Sequence, residues 1–216
     1  MMAVMLTIGG TALADGVGHH PAPRDVRAVE RVLAGAGIRV EVLLRRHAEA
    51  GKGGPFVPAM PPAPDRWDRL QRALRVLPLA APLAEYDVTS GFGRRVDPLN
   101  GRRAMHAGVD LRARLRATVR ATAPGRVVFA GRRGGFGRMV EIDHGLGVHT
   151  RYAHLAAITV RQGQLVPLGK RVGLLGSSGR STGPHLHYEV LVDGRARNPQ
   201  PFLKAGLRLR PPPGQR

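Results

Sequence analysis

The sequence contains no cysteine and few aromatic residues. Without a thiol in the chain, disulfide bonds, thiol chemistry and a sulfur-rich structural zinc site are all excluded. Aromatic residues make up 4% of the 216 residues, whereas hydrophobic residues make up 43%. We therefore expect a core built mainly from Val, Leu, Ala and Ile, and the 29 Gly and 18 Pro indicate many turns.

Acidic residues are also scarce. The chain has 15 Asp and Glu against 34 Lys and Arg, and residues 84–216 alone hold 23 basic residues against eight acidic ones. Such an excess of positive charge attracts an anionic partner, and the alternatives are a nucleic acid, an acidic cell envelope and a merely solvated basic surface. Because the basic residues are scattered and not interleaved with aromatics, the pattern does not favour nucleic acid, and we expect an anionic cell-envelope surface.

The apolar run at residues 2–13 is too short and too rich in glycine to predict a transmembrane helix. Residues 12–14, Ala-Leu-Ala, have the small side chains of a signal-peptidase site, although no Lys or Arg precedes the run. We expect residues 1–14 to be a signal peptide or its rear part, and the protein to be exported to the periplasm or cell envelope. The alternative is a disordered tail.

Three short helices are predicted before residue 84. Apolar side chains recur at helical spacing from residues 24, 40 and 67 onward. We interpret residues 15–83 as a helical accessory region with a Pro-rich linker. Short amphipathic helices gain most of their stability from packing, so we expect residues 24–77 to dock on the rest of the chain through two apolar stripes. The first stripe contains Val29 and Val32, and the second contains Trp67, Leu70 and Leu74.

From residue 86 the pattern changes to short strands separated by turns. No segment of helical length separates these strands, so we expect residues 84–205 to form a mainly β domain with a mainly antiparallel sheet. Residues 206–216 are basic and Pro-rich and are expected to form a flexible tail. The predicted strands cover residues 86–90, 104–111, 125–131, 138–143, 148–155, 171–176 and 184–192.

Two separate motifs predict a metal site. In the last predicted strand, alternation places His185, His187 and Glu189 on one face. Far upstream, His106 and Asp110 offer one nitrogen and one oxygen donor. Together with His187 they supply three ligands, which leaves one tetrahedral zinc position open, as in catalytic sites. The alternative for the last strand is a polar face that happens to be rich in histidine.

Several segments, in this order, resemble the lysostaphin-type (LytM-type) zinc metallopeptidases, which cut peptide cross-links in peptidoglycan. The resemblance runs from about residue 89 to residue 202, and it implies an antiparallel sheet that forms a narrow groove with one zinc ion per chain on its floor. The matching segments are residues 90–98 (SGFGRRVDP), 106–110 (HAGVD), 152–155 (YAHL), 176–184 (GSSGRSTGP) and 185–187 (HLH).

The resemblance also implies roles for individual residues. His106 and Asp110 match the first two zinc ligands of the family, and His187 matches the third. His154 and His185 match the two unliganded histidines that flank the metal-bound water. One of them is expected to act as general acid–base and the other as oxyanion donor, and the sequence leaves open which does which.

Two further residues on these strands have two interpretations each, and a third is expected outside the site. Glu189 is expected either to orient His187 or to pair with an arginine. Tyr152 is expected on the strand face of His154, where it borders the water or packs in the core. His149 is expected on the opposite face of that strand, outside the site.

The expected function is zinc-dependent endopeptidase cleavage of the peptide cross-links of bacterial peptidoglycan, with its stem peptides as substrate. The alternative is a catalytically silent regulator of cell-wall hydrolases, a class whose members typically lack metal ligands. The chain departs from the family at residues 114–116 (RLR), where a Pro-x-Gly turn is common. This departure affects the turn and the charge at the groove edge but not the ligands.

Overall fold

A computed structural model describes residues 24–48, 66–96 and 101–209 of the chain. The predicted signal peptide, the Pro-rich linker at residues 55–64 and the last seven residues of the expected tail lie outside these ranges. Within them, none of the helices combines the length and the apolar character that a membrane crossing requires.

The three predicted helices are confirmed as α1 (Arg24–Gly35), α2 (Val40–Ala48) and α3 (Arg66–Val76). A fourth helix, α4 (Pro199–Leu209), was not predicted, and it extends into the residues assigned to the flexible tail. Its prolines, Pro199 and Pro201, lie in the first turn. They are tolerated there because the first backbone N–H groups of a helix have no acceptor within the helix.

The main sheet contains eight strands, and every pair of neighbours in it is antiparallel, as predicted. Its strands, in chain order, are β1 (Asp87–Ser90), β4 (Val109–Arg112), β6 (Gly125–Arg132), β7 (Arg138–Gly145), β8 (Val148–Ala153), β10 (Leu165–Val166), β12 (Leu186–Val192) and β13 (Arg195–Arg197). In space they follow the order β1-β4-β12-β8-β7-β6-β10, and β13 pairs with β12. The long strand β12 therefore lies between β4 and β8.

Two smaller sheets complete the β structure. One is built from β5 (Thr118–Arg120), β11 (Arg171–Leu174) and β9 (Ala157–Ile158), and the other is a hairpin of β2 (Gly93–Val96) and β3 (Arg103–His106). The single strand predicted at residues 104–111 is therefore wrong. The chain leaves the hairpin after His106 and enters the main sheet at Val109, so β3 and β4 belong to different sheets.

The core lies on one face of the main sheet and continues into the helices. Leu111, Tyr152 and Tyr188 of the sheet belong to the same cluster of buried side chains as Leu33 and Leu70 of the helices. Val29, Val32 and Leu74, which belong to the two predicted stripes, pack against this cluster. The side chain of Trp67 lies outside the described part. The opposite face of the sheet carries the polar residues that form the site.

Candidate metal centre

Three donor atoms converge where the hairpin meets the main sheet. His106 ends β3, and Asp110 in β4 lies directly opposite His187 in β12. Oδ1 of Asp110 lies 3.0 Å from Nε2 of His106 and 2.9 Å from Nδ1 of His187, and the two ring nitrogens are 3.1 Å apart. All three side chains are buried. The structure thus brings the three residues predicted as ligands to one point.

Hydrogen bonds to neighbouring groups orient both imidazoles of this cluster. Nδ1–H of His106 donates to the carbonyl of Gly91 at 2.6 Å, and Nε2–H of His187 donates to Oε1 of Glu189 at 3.0 Å. Each ring therefore turns its other nitrogen toward Asp110. Metal-binding histidines usually donate their second N–H in this way, because the partner fixes the tautomer and the ring orientation.

The charges of the cluster favour a cation. Burial alone would lower the pKa of His187, but its hydrogen bonds to Asp110 and Glu189 outweigh burial and raise the pKa to about 9. Burial would raise the pKa of Asp110, but hydrogen bonds from His106 and His187 hold it well below its usual range. Two carboxylates around one imidazole thus stabilise positive charge between them.

The donor set fits zinc. Two imidazole nitrogens and one carboxylate oxygen are ligands that zinc accepts, and three protein ligands leave the fourth position open. Ligand atoms at about 2.0–2.2 Å from a tetrahedral zinc lie roughly 3.3–3.6 Å from one another, slightly farther apart than the three atoms here. Magnesium and calcium prefer an all-oxygen shell, which these residues do not offer.

His154 and His185 lie beside the cluster without joining it. Their ring centroids are 4.8 Å apart, and Nε2 of His185 is 3.7 Å from Oδ1 of Asp110. Nδ1–H of His154 donates to the carbonyl of Ser178 at 2.8 Å, and Nδ1–H of His185 donates to that of Gly183, also at 2.8 Å. Nε2 is consequently the nitrogen that each ring has available for proton transfer. Burial lowers the pKa of His154 to about 4, so its ring is neutral at neutral pH.

The backbone of His154 corrects the face assignments for β8. His154 has a φ of +59°, in the left-handed region, so the alternation of the strand ends before it. Tyr152 accordingly lies on the core face, where its hydroxyl hydrogen-bonds Thr122 and Thr150. Of its two interpretations, core packing is the one that the structure shows. His149, expected on the face away from the site, lies on the polar face, with Nδ1 3.4 Å from Oε1 of Glu141.

Two arginines beside the cluster were missed by the sequence analysis. Arg151 donates to Oε2 of Glu189 at 3.1 Å and to Oε2 of Glu141 at 2.9 Å, and Arg95 donates to Oδ2 of Asp110 at 3.3 Å. Arg95 lies inside the first matching segment, which was the available signal. Arg151 gave no such signal, because its partners become neighbours only through the order of strands β12, β8 and β7.

The cluster lies in an open cleft of about 360 Å³. The β2–β3 hairpin forms one wall, and the segments around residues 135 and 181 form the other. Basic, apolar and hydroxyl side chains therefore flank the three converging donors, and in the described part of the chain no lining residue belongs to helices α1 to α4. The lining side chains outside the histidine and carboxylate cluster include Arg95, Met105, Phe136, Arg180, Ser181 and Thr182.

Comparisons with known proteins agree with this geometry. Residues 104–199 match the model of Peptidase family M23. The chain is 46% identical over 118 residues to the DD-carboxypeptidase/endopeptidase Mpg of Neisseria meningitidis serogroup B, covering 55% of this chain and 27% of the relative. It is 41% identical over 132 residues to the peptidoglycan DD-endopeptidase ShyA of Vibrio cholerae, covering 61% and 30%. The chain thus spans less than a third of the length of these two relatives.

Solved structures show the same fold. A zinc-containing peptidase from Vibrio cholerae superposes with a TM-score of 0.52 at 38% identity, over 56% of this chain and 38% of that one. The catalytic domain of lysostaphin from Staphylococcus simulans superposes with a TM-score of 0.51 at 33% identity, over 55% of this chain and 92% of that domain. Because the similarity covers nearly all of a lysostaphin catalytic domain and the family match at residues 104–199 includes all three converging donors, this chain belongs to peptidase family M23.

Proposed function

We propose that this chain is a zinc-dependent endopeptidase that hydrolyses the peptide cross-links of bacterial peptidoglycan. The observation that carries the proposal is the convergence of His106, Asp110 and His187 in an open cleft, with two further histidines beside them. The relatives named as peptidoglycan DD-endopeptidases support stem peptides as the substrate. Because that substrate is part of the cell envelope, the proposal includes export to the periplasm or envelope.

In this proposal His106, Asp110 and His187 hold one zinc ion per chain, through Nε2, Oδ1 and Nδ1 respectively. When bound, the ion supplies Lewis-acid activation of a water molecule and of the scissile carbonyl. Glu189 and the carbonyl of Gly91 keep the two ligand rings in place. The cleft is open to solvent, so an extended peptide can enter between the hairpin and the opposite wall.

His154 and His185 carry the proton chemistry. The low pKa of His154 keeps Nε2 unprotonated, so this nitrogen can accept a proton from the nucleophile and pass it to the leaving amine. His185 donates Nδ1–H to Gly183, so Nε2 is the atom left to donate to a developing oxyanion. We assign His154 as the proton acceptor and His185 as the oxyanion donor.

No observation favours the catalytically silent alternative. Such proteins typically lack ligands, whereas all three ligand positions and both neighbouring histidines are filled in this chain. A catalytically silent protein also has no need of two histidines beside the ligand cluster whose Nε2 atoms remain available for proton transfer.

The proposal is tested by zinc content and muropeptide release measured on the same preparations. The wild-type chain should contain about one zinc and release uncrosslinked monomers from purified sacculi. Asp110→Ala and His187→Ala should lose zinc and activity together. His154→Ala and His185→Ala are the matched controls for metal loss. They should keep zinc and lose at least about a hundredfold in turnover.

Three results would contradict the proposal. Full zinc occupancy in Asp110→Ala and His187→Ala would refute the ligand set. A zinc-free His185→Ala protein would show that His187 is not the sole ligand in the His-Leu-His segment at residues 185–187. Cleavage of glycan strands alone, with the peptides intact, would rule out the peptidase function.

A further inference from the structure

The segment of residues 161–171, which contains β10 and ends at the start of β11, exposes an apolar tip. Leu165 is 67% exposed and Leu168 is 41% exposed, and Pro167 between them is also exposed. Contiguous apolar patches mark contact surfaces more often than singly exposed apolar residues do. None of the three lines the cleft, so the peptidase site does not account for them. We call residues 161–171 the apolar-tip loop.

Two arginines from neighbouring strands hold this loop in place. Arg126 in β6 donates from Nη1 to the carbonyl of Gly163 at 3.0 Å, and Arg120 in β5 donates from Nη1 to the carbonyl of Gly169 at 3.0 Å. Leu165 also pairs with Arg126 in the register of β10 and β6. The tip is therefore presented by a braced loop.

The surroundings of the tip are basic, with one carboxylate residue, Asp143, directly opposite Arg126 in the register of β7 and β6. Arg161, Lys170 and Arg171 of the loop are exposed, as are Arg120 and Arg126 beneath it. Arg171 lies directly opposite Arg120 in the register of β11 and β5, and like charges at such positions destabilise a sheet. Residues 111–140 and 144–188 contain no Asp or Glu. In the described part of the chain, none of these five cations forms an ion pair.

We propose that the apolar-tip loop and its five cations form a docking surface for an anionic phospholipid bilayer. Leu165 and Leu168 enter the boundary between headgroups and acyl chains, and the surrounding cations contact lipid phosphates. Apolar side chains bordered by Lys and Arg are typical of proteins that bind the membrane surface. A nucleic acid or another soluble polyanion would neutralise the cations but would leave the two leucines without an apolar environment, so the combination favours a lipid surface.

The surface acts in addition to the peptidase site. It shares no residue with the cleft. The proposal therefore stands independently of the hydrolytic function. It predicts that the protein works while held at the surface of a membrane.

The test is co-sedimentation of the full chain with vesicles of mixed phosphatidylglycerol and phosphatidylcholine, and with vesicles of phosphatidylcholine alone. One variant replaces the tip (Leu165→Ser with Leu168→Ser). A second removes loop cations that do not brace the loop (Arg161→Gln, Lys170→Gln and Arg171→Gln). The matched control removes the same charge from exposed positions elsewhere (Arg195→Gln, Arg197→Gln and Lys204→Gln). Thermal melting confirms that each variant is folded.

We expect the wild-type chain to bind the anionic vesicles and not the neutral ones. Each cation near an anionic bilayer contributes about fivefold in partitioning, so the loop-cation variant should bind about a hundredfold more weakly. The tip variant should lose at least about tenfold, because two leucines no longer leave water. The control should lose clearly less than the loop-cation variant. All variants should release muropeptides as the wild type does, so a failure of docking is distinct from a failure of catalysis.

Four results would overturn the proposal. The first is wild-type protein that does not sediment with anionic vesicles. The second is a tip variant that binds as the wild type does, which would leave only the attraction of cations for any polyanion. The third is a control variant that loses as much binding as the loop-cation variant, which would assign binding to net charge. The fourth is duplex DNA that displaces the wild-type protein from anionic vesicles at equal phosphate concentration.

Discussion

Glu189 accepts a hydrogen bond from Nε2–H of His187 at 3.0 Å, and only 2% of its surface is exposed. Its second oxygen accepts from Arg151, whose guanidinium also binds Glu141. Glu189, Arg151 and Glu141 lie in one row across β12, β8 and β7, in direct register. The charges in this row alternate, so the positive charge of Arg151 compensates the two carboxylates. A carboxylate without such a partner is costly to bury. The ring of His187 is thereby held with Nδ1 toward the other two donors.

The first prediction concerns this orienting role. Glu189→Gln keeps the shape of the side chain but removes its charge and leaves Arg151 with one carboxylate. We expect zinc affinity to fall by about 10–100-fold, the usual effect of losing such a partner. Competition with a chelator of known affinity measures it. Glu85→Gln, an exposed change of the same kind, is the control. Equal affinities for both variants would show that Glu189 only fills space.

The second prediction concerns the other side of the cluster. Arg95 holds Oδ2 of Asp110 at 3.3 Å, which leaves Oδ1 toward the two imidazoles. We expect Arg95→Met to weaken zinc binding by about tenfold or more, because the carboxylate loses the group that fixes its rotation. Calorimetric titration of zinc into the metal-free protein measures the change. Arg94→Met, at the exposed neighbouring position, should bind zinc as the wild type does, and a similar loss there would assign the effect to general charge.

Sequence patterns predicted the parts of the site that depend on local geometry. Alternation placed His187 and Glu189 on one face because β12 is a regular strand. The same rule assigned Tyr152 and His149 to the wrong faces of β8. It assumed that His154 continues the alternation, whereas the left-handed backbone of His154 points the His154 side chain to the other face. A local pattern does not encode such a reversal, since a non-glycine residue adopts it only when tertiary contacts hold it there.

Other features depend on which strands become neighbours. The role of Arg151 requires β8 to lie between β12 and β7, and no spacing along the chain contains that information. The short strands β5, β9 and β10 are too brief to show a period and form only by pairing with longer neighbours. Helices α1 to α3 were predictable because each has its own apolar periodicity and its own end signals.

The third prediction concerns the close approach of the chain to β12 between two proposed ligands, His106 and Asp110. A Cβ atom at Gly108 would lie 2.4 Å from the carbonyl oxygen of Tyr188 and 3.0 Å from Cγ of Glu189. Gly108→Ala must therefore push β12 away, and we expect a loss of about 1–3 kcal/mol in unfolding free energy, together with weaker zinc binding. Urea unfolding of the metal-free protein measures the first effect. Gly91→Ala, with open space around it, is the control, and equal stability of the two variants would contradict the steric argument.

The fourth prediction concerns pH and a histidine outside the site. His144 is buried, donates Nδ1–H to the carbonyl of Pro124 at 2.7 Å, and has Nε2 2.8 Å from the hydroxyl of Thr150. Burial lowers the pKa of His144 below its ordinary value. The unfolded chain therefore takes up a proton at this residue at a higher pH than the folded chain does. Between the two pKa values the unfolded state binds more protons at His144, so the contribution of His144 to stability falls as the pH falls below about 6.5.

Replacing His144 separates this contribution from those of the other histidines. His144→Gln should cost about 1–3 kcal/mol near neutral pH, because the hydrogen bonds to Pro124 and Thr150 are lost or strained. The cost should shrink as the pH falls below about 6.5, since the variant has no group here that protonates on unfolding. Urea midpoints of both metal-free proteins across that range measure the difference, and the remaining histidines cancel in the subtraction. A cost that stays constant or grows toward acid pH would show that His144 is not held neutral by the fold.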